Sequence, residues 1–107
     1  MLSPATEKSI HDVNAAYLVL AQRLLSQDFD AGSFRLGIDR ELAQRLLDLS
    51  VAQINQLAAC RIPLCQLRLT QSEVFTAFCQ ASESPEQFPI QAATILAESA
   101  TRWPEPT

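Results

Sequence analysis

The longest helical pattern in the chain runs from Ile10 to Leu25, IHDVNAAYLVLAQRLL, with no Gly or Pro. At about 1.5 Å per residue it makes a helix of roughly 24 Å. A 100° step per residue collects Ile10, Val13, Tyr17, Leu20, Ala21 and Leu24 on one stripe, and Leu18 and Leu25 widen it to about 160°. Val19 stands on the far side, and His11, Asp12, Gln22, Arg23 and Ser26 form a thin polar face. Leaving Leu18, Val19 and Leu25 in water forgoes roughly 2 kcal/mol each, together comparable with the net stability of a small domain. The pattern therefore predicts a second subunit as cover. Asn14 lies inside the apolar sector and has two readings: a core amide bonded to backbone, or a register-setting contact across a dimer.

Outside this stretch the punctuation is local. Ser3 followed by Pro4 is a cap-and-first-turn pair, so the first helix can begin there. Asp28 to Ser33 reads as a turn region with room for one helical turn, and Gly37 suits a left-handed position. Asp39 caps a second helix, Arg40 to Leu49, with Leu42, Ala43, Leu46 and Leu47 apolar. Ser50 with Gln53 is a capping box for a third, Val51 to Cys60, with Val51, Ile54, Leu57 and Ala58 inward, and Pro63 forbids its continuation. Leu64 to Leu69 alternates apolar and polar and predicts a short extended segment. Thr70 with Glu73 opens a fourth helix, Gln71 to Gln80, that buries Val74, Phe75 and Phe78. Ser84-Pro85-Glu86-Gln87 starts a fifth, whose first turn Pro89 perturbs and whose apolar side is Ile90, Ala93, Ile95, Leu96 and Ala97. The expectation is an all-α bundle of about five helices, ending in a helix-turn-helix-like pair.

Composition narrows what such a bundle can do. At 107 residues and 48% hydrophobic, the chain is one folding domain, with a core over 1–69, a helical pair over 70–98 and a tail over 99–107. The whole formal charge of −4 lies beyond residue 69: seven bases balance seven acids before it, and Arg102 faces five glutamates after it. Nucleic-acid binding needs phosphate-neutralising bases, so the chain alone should bind DNA poorly. A groove-reading second helix presenting Glu86, Gln87, Gln91, Thr94 and Glu98 runs against the same requirement, which favours a plain helical hairpin over a freestanding reader. No signal peptide or membrane span is present, which predicts a cytosolic chain with reduced cysteines.

Catalytic chemistry has no support in the pattern. The single histidine, His11, reads as a solvated surface residue, no phosphate loop exists, and no nucleophile sits beside a base. Cys60, Cys65 and Cys79 are spaced by no zinc motif, and a site joining them to His11 rests on ligand count alone. No cofactor or metal is expected. Cys60 and Cys79 read as small buried hydrophobes, while Cys65 can meet its symmetry mate. Asp28, Phe34 and Arg35 have the composition of an interface anchor; a helix-end salt bridge with a core Phe explains them as well.

Taken together, SIHDVNAAYLVLAQRLLSQD, FRLGI and PLCQLRL resemble the family of the flagellar transcriptional activator FlhD, from about Ile10 to Leu69. The resemblance implies an intertwined homodimer with the first helix as its spine. Its core would hold Ile10, Val13, Asn14, Tyr17, Leu18, Leu20, Leu24 and Leu25. It implies a companion subunit, FlhC, in a hetero-oligomer that binds promoter DNA and recruits RNA polymerase, the companion carrying the zinc site and much of the DNA contact. Asp28, Phe34 and Arg35 stand at family positions linked to the companion, and Cys65 matches a cysteine that can bridge the two subunits by a disulfide. Arg61 replaces a polar amide at another companion-linked position. Similarity fades after Thr70, where Glu83 stands in place of a basic residue. The alternative is a homodimeric, non-catalytic adaptor that binds another regulator without direct DNA contact.

Overall fold

The computed structural model describes residues 2–69 and 71–101, the last three as backbone. Among the described residues six helices follow one another: α1 (Pro4–Gln27), α2 (Phe29–Leu36), α3 (Arg40–Leu47), α4 (Val51–Ala58), α5 (Ser72–Ala81) and α6 (Phe88–Thr101). No strand occurs among the described residues. The chain divides into two compact units, Met1–Gln66 and Leu67–Thr107.

In the first unit α1 packs against α2, α3 and α4. Its start is local chemistry: Ser3 Oγ accepts from the Thr6 N–H at 3.2 Å, and Pro4 needs no intrahelical donor. Its end is a change of direction at Asp28, whose backbone is extended and whose carboxylate caps α2 by accepting from the Ala31 N–H at 3.1 Å. The buried stripe is Asn14, Leu18, Ala21 and Leu25, and Ala21 and Leu25 form a core with Leu36 of α2 and Ala43 of α3. Tyr17, Leu24, Phe29, Ile38, Leu46 and Leu47 pack around it.

The protomer therefore covers one flank of the wide apolar face by itself. Leu18 and Leu25, expected to need a second subunit, are enclosed by their own chain. The opposite flank stays open, with Val13 52% and Leu20 49% exposed. Val19 faces solvent as the wheel indicates.

Residues 29–36 form a full helix where composition reads as a turn. Gly32 has low helix propensity, but the position demands it: a Cβ there would lie 2.7 Å from the Leu24 carbonyl oxygen of α1. Close docking of α2 on α1 thus outweighs the propensity. Gly37 ends α2 in the left-handed conformation, φ 71° and ψ 37°. The N–H groups of Gly37 and Ile38 return to Phe34 O and Ser33 O at 3.1 Å, closing the helix terminus.

Two amides of α1 tie the unit together. Asn14 is fully buried; its Nδ2 donates to Ala58 O at 3.2 Å and Ile62 O at 2.9 Å, and its Oδ1 accepts from the Leu64 N–H at 2.8 Å. The intrachain reading of this residue is the one realised. Gln22, two turns further on, donates to Leu46 O and Leu49 O at 3.0 Å each. Helix C-termini leave carbonyls without partners, and these side chains satisfy those at the ends of α4 and α3.

Other expectations change in detail. Ser50 and Gln53 form the capping box, at 3.1 and 2.8 Å, but α4 buries only Ile54 and Ala58 and leaves Val51 and Leu57 exposed. Residues 64–69 adopt neither helix nor strand. Thr70 lies outside the described residues, and α5 begins after Gln71 with no side-chain cap. It buries Val74, while Phe75 is exposed. Ser84 to Gln87 form a turn, with the Gln87 and Phe88 N–H groups on Ser84 O, and α6 begins only at Phe88. A helix begun at Pro85 would place Pro89 where its ring meets the Pro85 carbonyl, so the chain turns first. The later start leaves Ile90 74% exposed.

Candidate partner-binding surface

The three residues proposed as an interface anchor all belong to the α2 region, and the fold separates their roles. Asp28 sits at the N-terminus, its carboxylate engaged as the cap. Gly32, Ser33 and Leu36 face the core. Phe29 is half-buried, with the Arg40 guanidinium 4.9 Å from its ring centroid. That arrangement turns Phe34 and Arg35 outward at the C-terminal end. Phe34 is 79% exposed, the highest value among the exposed large hydrophobic side chains described. It is not a core residue, and Arg35 makes no ion pair with Asp28 or with any other described residue. An exposed aromatic next to an uncommitted guanidinium, on a helix fixed at both ends, is what an interface anchor requires. Asp28 is exposed about 9 Å away along the axis, at the other end of the same helix.

The residues expected in a dimer core fall into three sets. Asn14, Leu18 and Leu25 are buried in their own chain, while Ile10, Tyr17 and Leu24 are half-buried. Val13 and Leu20 remain open to a partner.

His11 and the cysteines do not form a chemical site. His11 is half-buried on α1, beside Ala58, Ala59 and Arg61, with Nδ1 3.6 Å from Asp12 Oδ1. The Lys8 ammonium, hydrogen-bonded to Asp12 at 2.8 Å, holds that carboxyl below the usual carboxylate range. Cys60, Cys65 and Cys79 are free thiols. Cys60 and Cys79 are exposed, contrary to the buried role expected of them; Cys60 Sγ donates to Ile62 O at 3.1 Å. Cys65 is half-buried, and the structure gives no support to a disulfide. Among the described residues no group of His, Cys, Asp or Glu is gathered to hold a metal ion, and no helix is long and apolar enough to cross a membrane.

Sequence reasoning missed two features of the first unit. Gln22 resembles any polar surface residue, because nothing local tells that α3 ends beneath it. Arg61 occupies the left-handed region at φ 66°, with Glu7 at 3.9 Å, and only Pro63 nearby signals a break.

Comparison with known proteins extends the resemblance beyond Leu69. Residues 1–102 match the profile of the flagellar transcriptional activator FlhD. The flagellar transcriptional regulator FlhD of Pantoea ananatis is 36% identical over 95 residues, covering 89% of this chain and 82% of the relative. That of Cronobacter sakazakii is 39% identical over 89 residues, 83% and 75% of the two chains. That of Cupriavidus taiwanensis is 36% identical over 97 residues, 91% and 92%. With the profile spanning both units and these relatives matched over most of their own length, the chain belongs to the family of the flagellar transcriptional activator FlhD.

Proposed function

We propose that this chain is a non-enzymatic subunit of a cytoplasmic transcriptional regulator of flagellar genes. It acts as a homodimer with an FlhC-like companion that supplies most of the promoter contact, and the complex recruits RNA polymerase. Family membership supports the regulatory role. The observation that carries the mode of action is Phe34, exposed beside an unpaired Arg35 on a helix whose two ends are capped. The chain's own charge supports the division of labour, since phosphate contacts require bases it lacks in excess.

The test is co-purification with the companion. Phe34→Ala with Arg35→Ala should weaken binding by about 2 kcal/mol or more while helicity and self-association persist. Loss of the fold would make both residues structural and remove the proposal. Self-association itself is assigned to packing at the open flank of α1: Leu20→Asp should give a monomer by light scattering, and Cys65→Ser should remain a dimer. Promoter binding should require both subunits, and tight, salt-sensitive binding by this chain alone would contradict the reading.

A second reading, an adaptor without DNA contact, is favoured by one feature: residues 71–101 contain no Lys, Arg or His. Recovery of an unrelated regulator and no companion from the native host would select it.

A further inference from the structure

The C-terminal unit has a feature that the companion reading does not use. α5 and α6 are pinned by Phe78 and Phe88, edge to face with ring centroids 4.9 Å apart. Beside this pair lies an open groove of about 480 Å³, within the range of ligand-sized clefts. Gln80, Ala81 and Ser84 wall one side, and Ile90, Gln91, Thr94 and Ile95 the other. Ile90 offers an uncovered apolar side chain there. Gln91 Oε1 is buried without a hydrogen-bond partner, although its Nε2 donates to Gln87 Oε1 at 3.4 Å.

Charge selects the occupant. From Gln71 to Thr101 the chain carries Glu73, Glu83, Glu86 and Glu98 and no basic residue. Phosphate backbones and anionic membranes are repelled by that field, and so is a second copy of the same unit. An apolar floor next to acidic residues calls for apolar side chains at i, i+3 and i+4 with cations on the flanks. We propose that the α5–α6 groove docks a basic amphipathic helix of a protein partner, with apolar anchors against Ile90 and Ile95, and Lys or Arg drawn to Glu83 and Glu86. The proposal rests on this unit alone and is separable from the companion reading.

The test uses the full chain, 15N-labelled, titrated with a synthetic Leu/Lys amphipathic helix and with a Leu/Glu helix of the same spacing. The Leu/Lys peptide should shift amide resonances of residues 80–84 and 90–95, and its affinity should fall as salt is raised. Ile90→Ser, and Glu83→Lys with Glu86→Lys, should each weaken it about tenfold with helicity unchanged, since both act at exposed positions. Phe34→Ala with Arg35→Ala should leave it unchanged. Absence of shifts with the Leu/Lys peptide, shifts confined to residues 10–66, equal binding of the Leu/Glu peptide, or a DNA duplex shifting the same amides would overturn it.

Discussion

In Met1–Gln66, Asn14 and Gln22 reach from α1 to backbone carbonyls at the ends of α4 and α3, over separations of more than 20 residues. In Leu67–Thr107, α5 starts with no side-chain cap, and α5 meets α6 at an apolar contact that includes the Phe78–Phe88 ring pair. A directional bond to a buried carbonyl admits one register, whereas apolar contact tolerates small shifts. The first unit is consequently specified in detail, and the second keeps an open groove with an unpaired acceptor. The contrast suits a scaffold that presents a fixed anchor at Phe34 and an adaptable surface elsewhere.

The contrast can be broken most directly at Asn14. Asn14→Ala strips the buried Ala58 carbonyl of its side-chain partner and removes the bonds to Ile62 O and the Leu64 N–H, and should cost about 3–5 kcal/mol in urea unfolding. Amide exchange in residues 72–98 should stay as in the parent chain. A cost under about 1 kcal/mol would show that the amide does not specify the unit. Gly32→Ala should follow at about 2–3 kcal/mol, because the new Cβ meets the Leu24 backbone and α2 must move off α1. Phe78→Leu tests the other side of the comparison: about 1–2 kcal/mol, with faster exchange confined to α5 and α6. The smallest effect has the opposite sign. Arg61→Asn should stabilise the chain by about 0.5–1 kcal/mol, since an amide side chain tolerates φ 66° better and the exposed pair with Glu7 contributes little.

Features that depend on a few neighbouring residues were readable before any packing was known. Ser3–Pro4 starts α1, Ser50 with Gln53 starts α4, and Gly37 takes a positive φ, each through side chains within four positions. α2 was not readable, because its glycine is required by the Leu24 carbonyl eight residues earlier in sequence. The start of α6 was misplaced because Ser84-Pro85 carries a strong local signal that Pro89 cancels one turn later. At the candidate surface, residue types pointed to Phe34 and Arg35 but left open whether the ring was core; only the docking of Ser33 and Leu36 decided that.

The sequence by itself determined an all-α chain, an over-wide apolar face on α1, a stretch from 71 to 101 without basic residues to hold phosphate, and membership of its family. These follow from periodicity, charge and residue combinations, which need no coordinates. Tertiary structure decided which flank of that face the chain covers for itself, that Asn14 and Gln22 close the ends of other helices, and that Phe34 points outward. The physical reason is that burial and hydrogen-bond partners belong to pairs of residues distant in sequence. A helical wheel records the apolar width of α1; only the packing of α2, α3 and α4 against it divides that width into a core and an open flank.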